Sequence, residues 1–184
     1  MFFKVTMFII SLIKAAIILW GVLLLAEAAM AIDCNKHPIY CRIVELRPNI
    51  NSAKAMRISN WIHKYSKRHG TDPMVSVAIL MQESGLRMRD RWGSFLTDDG
   101  EVVRGRTDLG MAQVHVSTAV AYGLDLERLS GDMEYNVKAH FKILADKIKR
   151  CRNLGAEAWS CYHSTTTYHR LKYLKDVSRY LGSQ

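Results

Sequence analysis

The chain has 184 residues, of which 49% are apolar and 23% are charged, and its formal net charge is +9. This length predicts a single domain, and the apolar fraction excludes an intrinsically disordered protein. The positive charge favours an anionic polymer or surface as partner. Because the sequence has no basic–aromatic repeat and no DNA-binding motif, nucleic acid is not the expected partner.

The first 31 residues have the pattern of a secretory signal peptide. Lys4 and Lys14 accompany an apolar stretch that is free of charge from Ala15 to Leu25, and Ala29-Met30-Ala31 has the small-x-small form of a cleavage site. We therefore expect an exported protein, periplasmic or secreted, with one domain over residues 32–184. The alternative is an uncleaved membrane anchor, because the segment is long enough to span a bilayer.

Export would make the four cysteines structural. Cys34 and Cys41 lie seven positions apart, and Cys151 and Cys161 lie ten apart. Neither pair has the C-x-x-C spacing of a zinc site or a redox centre. In an oxidising compartment, two local disulfides are the simplest of the three possible connectivities, and free buried thiols are the alternative.

The first helix of the domain is predicted from Ser52 to His69, where Gly70 stops it. Residues 32–51 contain two of the three prolines and the first cysteine pair, and we expect them to form a loop. The apolar face of the helix recurs at helical spacing. It consists of Ala55, Ile58, Ile62 and Tyr65.

The next helix is predicted to be the buried centre of the domain. Asp72 is a natural N-cap, and Pro73 suits the first helical position. From Met74 to Met81 every residue except Ser76 is apolar. A helix that is apolar on all sides is usually buried, and Gly85 marks its end.

One β hairpin and four further helices are predicted after it. The hairpin joins residues 95–97 to 101–103 through Asp98-Asp99-Gly100. The helices are expected at Ser117–Tyr122, from an Asp132 cap to Arg150, at Ala156–Tyr162, and at the end of the chain, with Leu171, Leu174, Ser178 and Leu181 on the apolar face of the last one. These elements predict a mostly α (α+β) fold with a buried central helix and a small β hairpin.

Four short motifs then occur in a fixed order. They are Glu83-Ser84-Gly85, Gly110-Met111-Ala112-Gln113, the segment from Asp132 to Asn136, and Cys161-Tyr162-His163-Ser164. Together they resemble the soluble lytic transglycosylase (SLT) family, and Thr107-Asp108-Leu109-Gly110 is most similar to the small members that accompany secretion systems and pili. The resemblance covers about residues 58–168 and implies a lysozyme-like domain that cleaves the glycan strands of peptidoglycan.

The resemblance also implies a role for each motif residue. Glu83 would be the catalytic acid and then the base, and burial beside the apolar helix would raise its pKa in the required direction. Ser84 would form hydrogen bonds near the acid, or simply end the helix. Gln113 would bind a substrate amide or assist the acid. The hydroxyl of Tyr162 would contact Glu83.

Asp108 leaves a second reaction open. In animal-type lysozymes an aspartate in a similar setting is the second carboxylate, and lysozyme is a standard example of such a pair. If Asp108 faces Glu83 across the cleft, hydrolysis by a muramidase becomes feasible. The other interpretation of Asp108 is a residue that caps a loop.

The last of the four motifs, which begins at Cys161, departs from the family's usual Ala-Tyr-Asn-x-Gly form, since His163 and Thr165 replace the asparagine and the glycine. This departure keeps a non-catalytic wall-binding or assembly protein open as a third hypothesis. The seven histidines show no metal-ligand spacing, so we expect neither a metal nor a cofactor. The expected partners are peptidoglycan glycan strands and a secretion, conjugation or pilus apparatus, and the chain is expected to be a monomer.

Overall fold

The computed structural model describes residues 32–96 and 102–182. The chain divides into two compact units, 1–37 and 38–184. In the first unit, residues 32–37 contain a turn in which the carbonyl of Asp33 accepts hydrogen bonds from the amides of Lys36 and His37. The predicted signal peptide and the predicted hairpin turn lie outside the described residues.

The second unit is mostly helical. Its helices in chain order are α1 (Pro38–Leu46), α2 (Ser52–His69), α3 (Pro73–Ser84), α4 (Val116–Ala121), α5 (Leu126–Gly131), α6 (Met133–Arg150), a 3-10 helix (Arg152–Tyr162) and α7 (Thr167–Leu181). The predicted loop over residues 32–51 is therefore wrong in part. Pro38 can open a helix because its missing N–H needs no partner there, and α1 buries Ile39, Tyr40 and Ile43.

The central helix α3 has the boundaries that its end residues predict. The side chain of Asp72 accepts a hydrogen bond from the amide of Met74, and Gly85 ends the helix in the left-handed conformation with a φ of 62°. Val77 and Leu80 pack into the largest apolar cluster of the domain, whereas Ala78 and Ile79 pack into a second cluster. Core side chains therefore surround α3, as its uniform apolar character predicts.

Three antiparallel strands follow α3. They are β1 (Arg91–Leu96), β2 (Val102–Leu109) and β3 (Val114–His115), in the order β1-β2-β3. The sequence predicted a shorter hairpin without β3, and one of its two interpretations of Asp108 was a residue that caps a loop. Asp108 instead lies in β2, paired with Arg91 on one side and His115 on the other.

The last helix, α7, packs against α3 with a face that matches the predicted one only in part, since Leu174 and Leu181 pack against the shared cluster. Tyr173 and Val177 are buried, in the same cluster as Ile79 of α3. Leu171, predicted on the apolar face, is 49% exposed, and Ser178 is also exposed. The large tyrosine at the α3 contact sets which side of α7 faces inward.

A disulfide joins Cys151 and Cys161 across the 3-10 helix, as predicted. Cys34 and Cys41 each take part in a disulfide as well. Within residues 32–96 and 102–182, no helix is both long and apolar enough to cross a membrane. The mostly helical domain with a small antiparallel sheet confirms the predicted fold class.

Candidate active site

Glu83 lies in the last turn of α3, where the helix leaves the core. Tyr173 donates a hydrogen bond to its carboxyl oxygen Oε1 over 2.7 Å. The pKa of Glu83 is raised to about 7, chiefly by burial; the Tyr173 bond and the charges of Arg91 and Arg89 oppose this rise, and the charge of Asp108 adds to it. A carboxyl with this pKa holds its proton near neutral pH and can also release it, as a general acid and base must.

Two arginines fix the end of the helix that carries Glu83. The guanidinium groups of Arg89 and Arg91 donate hydrogen bonds to the backbone carbonyl of Glu83 over 3.1 and 3.2 Å. The last carbonyls of a helix have no intrahelical partner and carry partial negative charge, so cations stabilise them. These bonds connect the helix end to the segment that leads into β1.

Ser84 ends the helix, and its hydroxyl bonds to backbone groups on either side of it. Its hydroxyl donates to the carbonyl of Leu80 over 3.4 Å and accepts from the amide of Arg87 over 3.1 Å. It is buried. The sequence left two roles open for Ser84, a hydrogen bond near the acid or the end of the helix. Its bonds in the structure are those of a residue that ends the helix and turns the chain away from α3.

The segment from Gly110 to Gln113 is held by one buried side chain of α6. Asn136 accepts a hydrogen bond from the amide of Ala112 over 2.8 Å, and it donates to the carbonyls of Leu109 and Leu129 over 3.1 and 2.8 Å. Gly110 has a φ of +69°, and a Cβ atom there would clash with Asn136 and with the Leu129 carbonyl. Only glycine fits this position.

Gln113 is 93% buried and has an uncommon φ of 47°. Its side-chain amide donates to the carbonyls of Arg89 and Gly110, both over 2.7 Å. Its oxygen Oε1 is buried and has no hydrogen-bond partner among the described residues. Gln113 thus joins the Gly110 segment to the chain that follows α3, and its free acceptor leaves a hydrogen bond for another group to complete.

The tyrosine that holds Glu83 is Tyr173, and not Tyr162 as the sequence predicted. The hydroxyl of Tyr162 donates to the carbonyl of Ala112 over 3.2 Å. The charge of Glu83 still acts on Tyr162. Burial and this charge together raise the pKa of Tyr162 well above the ordinary value. Sequence reasoning missed Tyr173, whose available signal was an aromatic residue within the last amphipathic helix.

Asp108 acts on the acid from β2. Its Oδ2 accepts a hydrogen bond from the hydroxyl of Thr107 over 3.0 Å. Its negative charge raises the pKa of both Glu83 and His163. Asp108 therefore lies near enough for its charge to act on the acid, although it is not among the residues that line the cleft beside Glu83, and it does not cap a loop.

Glu83 opens onto a cleft of about 210 Å³. The ring of His163 is stacked on Tyr173, with 5.0 Å between ring centroids and an angle of 13° between the planes. His163 therefore supports the tyrosine that holds Glu83. The lining residues come from α3, β1, α7 and the turn after the 3-10 helix; they are Gln82, Glu83, Arg91, His163, His169, Lys172, Tyr173 and Asp176.

In the part of the chain that the structure describes, no group of three His, Cys, Asp or Glu residues is arranged to hold a metal ion.

A family model described as the Transglycosylase SLT domain matches residues 60–177, more than half of the chain. This range contains α3, the sheet, Asn136 and both tyrosines of the site. No curated protein and no solved structure matches the chain significantly.

Proposed function

The chain belongs to the transglycosylase SLT domain family, and from this we propose that it is a lytic transglycosylase of peptidoglycan. The bond cleaved would be the β-1,4 linkage between N-acetylmuramic acid and N-acetylglucosamine. The product would carry a 1,6-anhydro ring on the muramic acid. Glu83 would serve as both the acid and the base.

The reaction needs one carboxyl group that changes its protonation state twice. Protonated Glu83 gives its proton to the glycosidic oxygen, which leaves on N-acetylglucosamine. The resulting carboxylate takes the proton of the C6 hydroxyl of the muramic acid, and the C6 oxygen attacks the anomeric carbon. Glu83 is protonated again at the end, and no water is consumed.

The observation that carries this proposal is the pKa of Glu83, which burial raises to about 7. An ordinary glutamate is almost fully ionised at neutral pH and has no proton to give. In the structure the carboxyl is buried on one side, opens onto the cleft on the other, and is oriented by Tyr173. Tyr173 can stabilise the carboxylate that forms after the first proton transfer.

The test is a digest of purified peptidoglycan by the protein without residues 1–31, followed by mass spectrometry of the products. We expect glycan fragments that end in anhydro-muramic acid, each one water lighter than a hydrolysis product. Glu83→Gln should release none, while keeping the bond from Tyr173 because its amide oxygen can accept it. Full activity of Glu83→Gln would refute the proposal. Pelleting of both proteins with cell walls without any fragment would favour the non-catalytic wall-binding alternative.

The position of Asp108 supports a second candidate, a muramidase. Its charge acts on Glu83, so it is available to stabilise positive charge on the sugar or to direct a water molecule. In that case the fragments would have reducing ends, and Asp108→Asn would abolish their release. Anhydro ends that persist in Asp108→Asn would exclude this reaction.

We also propose that the enzyme acts outside the cytoplasm in local cell-wall remodelling, for a secretion, conjugation or pilus apparatus. The signal-peptide pattern of residues 1–31 and the motif likeness to secretion-associated enzymes support this. Cell fractionation would test the location, and co-purification with an assembled apparatus would test the association. Light scattering of the purified protein would test the expected monomer.

A further inference from the structure

The cleft beside Glu83 has a wall that is rich in cationic and basic side chains. Arg91 comes from β1, His163 from the turn after the 3-10 helix, and His169 and Lys172 from α7, and all four line the cleft. They lie on three separate segments, which the fold brings to one side of the acid. The tertiary fold therefore assembles this cluster, and one face of a single helix would not.

The acids of the same cleft do not neutralise this wall. Near pH 7 much of Glu83 holds a proton, because its pKa is about 7. The carboxylate of Asp176 forms an ion pair with Arg179 over 3.1 Å, and Arg179 does not line the cleft. Lys172 and Arg91 form no salt bridge with any carboxylate in residues 32–96 or 102–182. Asp108 is close enough to act on His163, but its carboxylate bonds to Thr107 and forms no salt bridge with either cation within the described residues. The wall therefore presents positive charge without a salt-bridged counter-ion.

The cationic groups are close enough to act on a single ring. Burial lowers the pKa of His163, and the charges of His169, Arg91 and Lys172 lower it further, whereas Asp108 opposes them. Arg91 and Lys172 both influence this ring inside a small cleft, and together they form a local positive potential, which attracts an anion.

Peptidoglycan offers only one kind of anion near the bond that Glu83 would cleave. The hydroxyl and acetamide groups of both sugars are neutral. The muramic acid alone carries a 3-O-lactyl arm, and this arm ends in a free carboxylate or continues into a peptide that bears carboxylates. The arm belongs to the same sugar whose anomeric carbon reacts, so it enters the cleft beside the acid.

We propose that Arg91, His169 and Lys172 form a subsite for a carboxylate on the lactyl arm of the muramic acid. This inference rests on the proposed function, since it assumes a muramic acid beside Glu83. The subsite would select glycan strands by the chemistry of the arm, and neutral strands would bind more weakly. Lys172 is the most informative residue to change, because it is exposed and makes no hydrogen bond to Glu83.

The test compares three forms of one glycan strand: denuded strands with free lactyl carboxylates, strands that keep their peptides, and denuded strands whose lactyl carboxylates are converted to neutral methylamides. KM and kcat are measured for the wild type, Lys172→Gln and a control, Lys175→Gln. Lys175 is an exposed lysine of the same helix that does not line the cleft. We expect Lys172→Gln to raise KM about threefold to fivefold on a carboxylate-bearing strand, as for a partly exposed ion pair. The control should leave KM unchanged.

Each outcome has one meaning. An effect of Lys172→Gln on denuded strands alone assigns the lactyl carboxylate, and an effect on peptide-bearing strands alone assigns the peptide carboxylates. An equal effect on both carboxylate-bearing strands still supports the subsite, provided that the neutral strand shows none. An equal change on the methylamide strand, or no change on any strand, would overturn it.

A binding measurement separates this inference from the reaction itself. Fluorescently labelled denuded strands are titrated into Glu83→Gln and into Glu83→Gln with Lys172→Gln, neither of which needs to cleave. Weaker binding of the double variant, together with a wild type that cleaves no strand, would leave the subsite standing and refute the proposed reaction. Normal cleavage by the wild type with equal binding of both variants would refute the subsite alone.

Discussion

Glu83→Gln should stabilise the protein at alkaline pH and change its stability much less at acidic pH. The pKa of Glu83 is raised from 4.5 to about 7, chiefly by burial. The native state therefore keeps a proton that the unfolded chain loses, and the free energy of unfolding falls as pH rises from 4.5 to about 7. At ~1.4 kcal/mol per pKa unit, this change amounts to about 3 kcal/mol as an upper value.

Glutamine removes this cost because its amide does not ionise, and it can still accept the Tyr173 bond. For a domain of this size, ~1 kcal/mol moves Tm by about 2–4 °C. We therefore expect the variant to melt about 5–10 °C above the wild type at pH 8.5, but only about 2–3 °C above it at pH 5, where the unfolded chain has already begun to lose its proton. Thermal melts monitored by circular dichroism at both pH values measure this difference.

A Tm difference of the same size at pH 5 and pH 8.5 would refute the reasoning, because it would show that ionisation of Glu83 carries no cost in the fold. Glu127→Gln is the matched control. The Glu127 side chain is 79% exposed, so its replacement should change Tm by the same small amount at both pH values.

Three further changes test other parts of the structure. Tyr173→Phe removes a hydrogen bond that lowers the pKa of Glu83, so kcat should fall about tenfold and the loss of activity on the alkaline side should move to higher pH in a kcat–pH profile. Asn136→Ala removes the side chain that bonds three buried backbone groups. It should lower the free energy of unfolding in urea by about 3 kcal/mol or more. The control Asn153→Ala, at an exposed position, should lower it by almost nothing, and equal losses would contradict the anchoring role of Asn136. Cys161→Ser opens a loop of ten residues and should cost about 2–3 kcal/mol, seen as a Tm lower by several degrees; an unchanged Tm would show that the bond contributes nothing.

The parts of the fold that depend on local chemistry were predictable from the sequence. The limits of α3 follow from Asp72, Pro73 and Gly85, and the predicted inner face of α2 is buried at all four positions, Ala55, Ile58, Ile62 and Tyr65. Capping residues and apolar spacing act within a few positions of the chain. They can therefore be recognised in the sequence without knowing what packs against the helix.

The features that were missed depend on contacts between distant residues. Tyr173 contacts Glu83 over a separation of 90 positions, and the inner face of α7 is set by the space beside Ile79. The strands extend further than the hairpin signal because β1 and β2 pair as far as Arg91 and Asp108, and β3 adds a second partner for the end of β2. Spacing within one segment records none of these pairings, so a loop-capping role for Asp108 stayed open.

The bond between Tyr173 and Glu83 also has a consequence for biosynthesis. A ribosome completes α3 long before it completes α7, so the carboxyl emerges without its hydroxyl partner and without the helix that covers Ile79. Before Tyr173 and Val177 dock, we expect Glu83 to be solvated and to have the pKa of an ordinary glutamate. The raised pKa that the proposed reaction needs should therefore appear only after the final helix has folded into place.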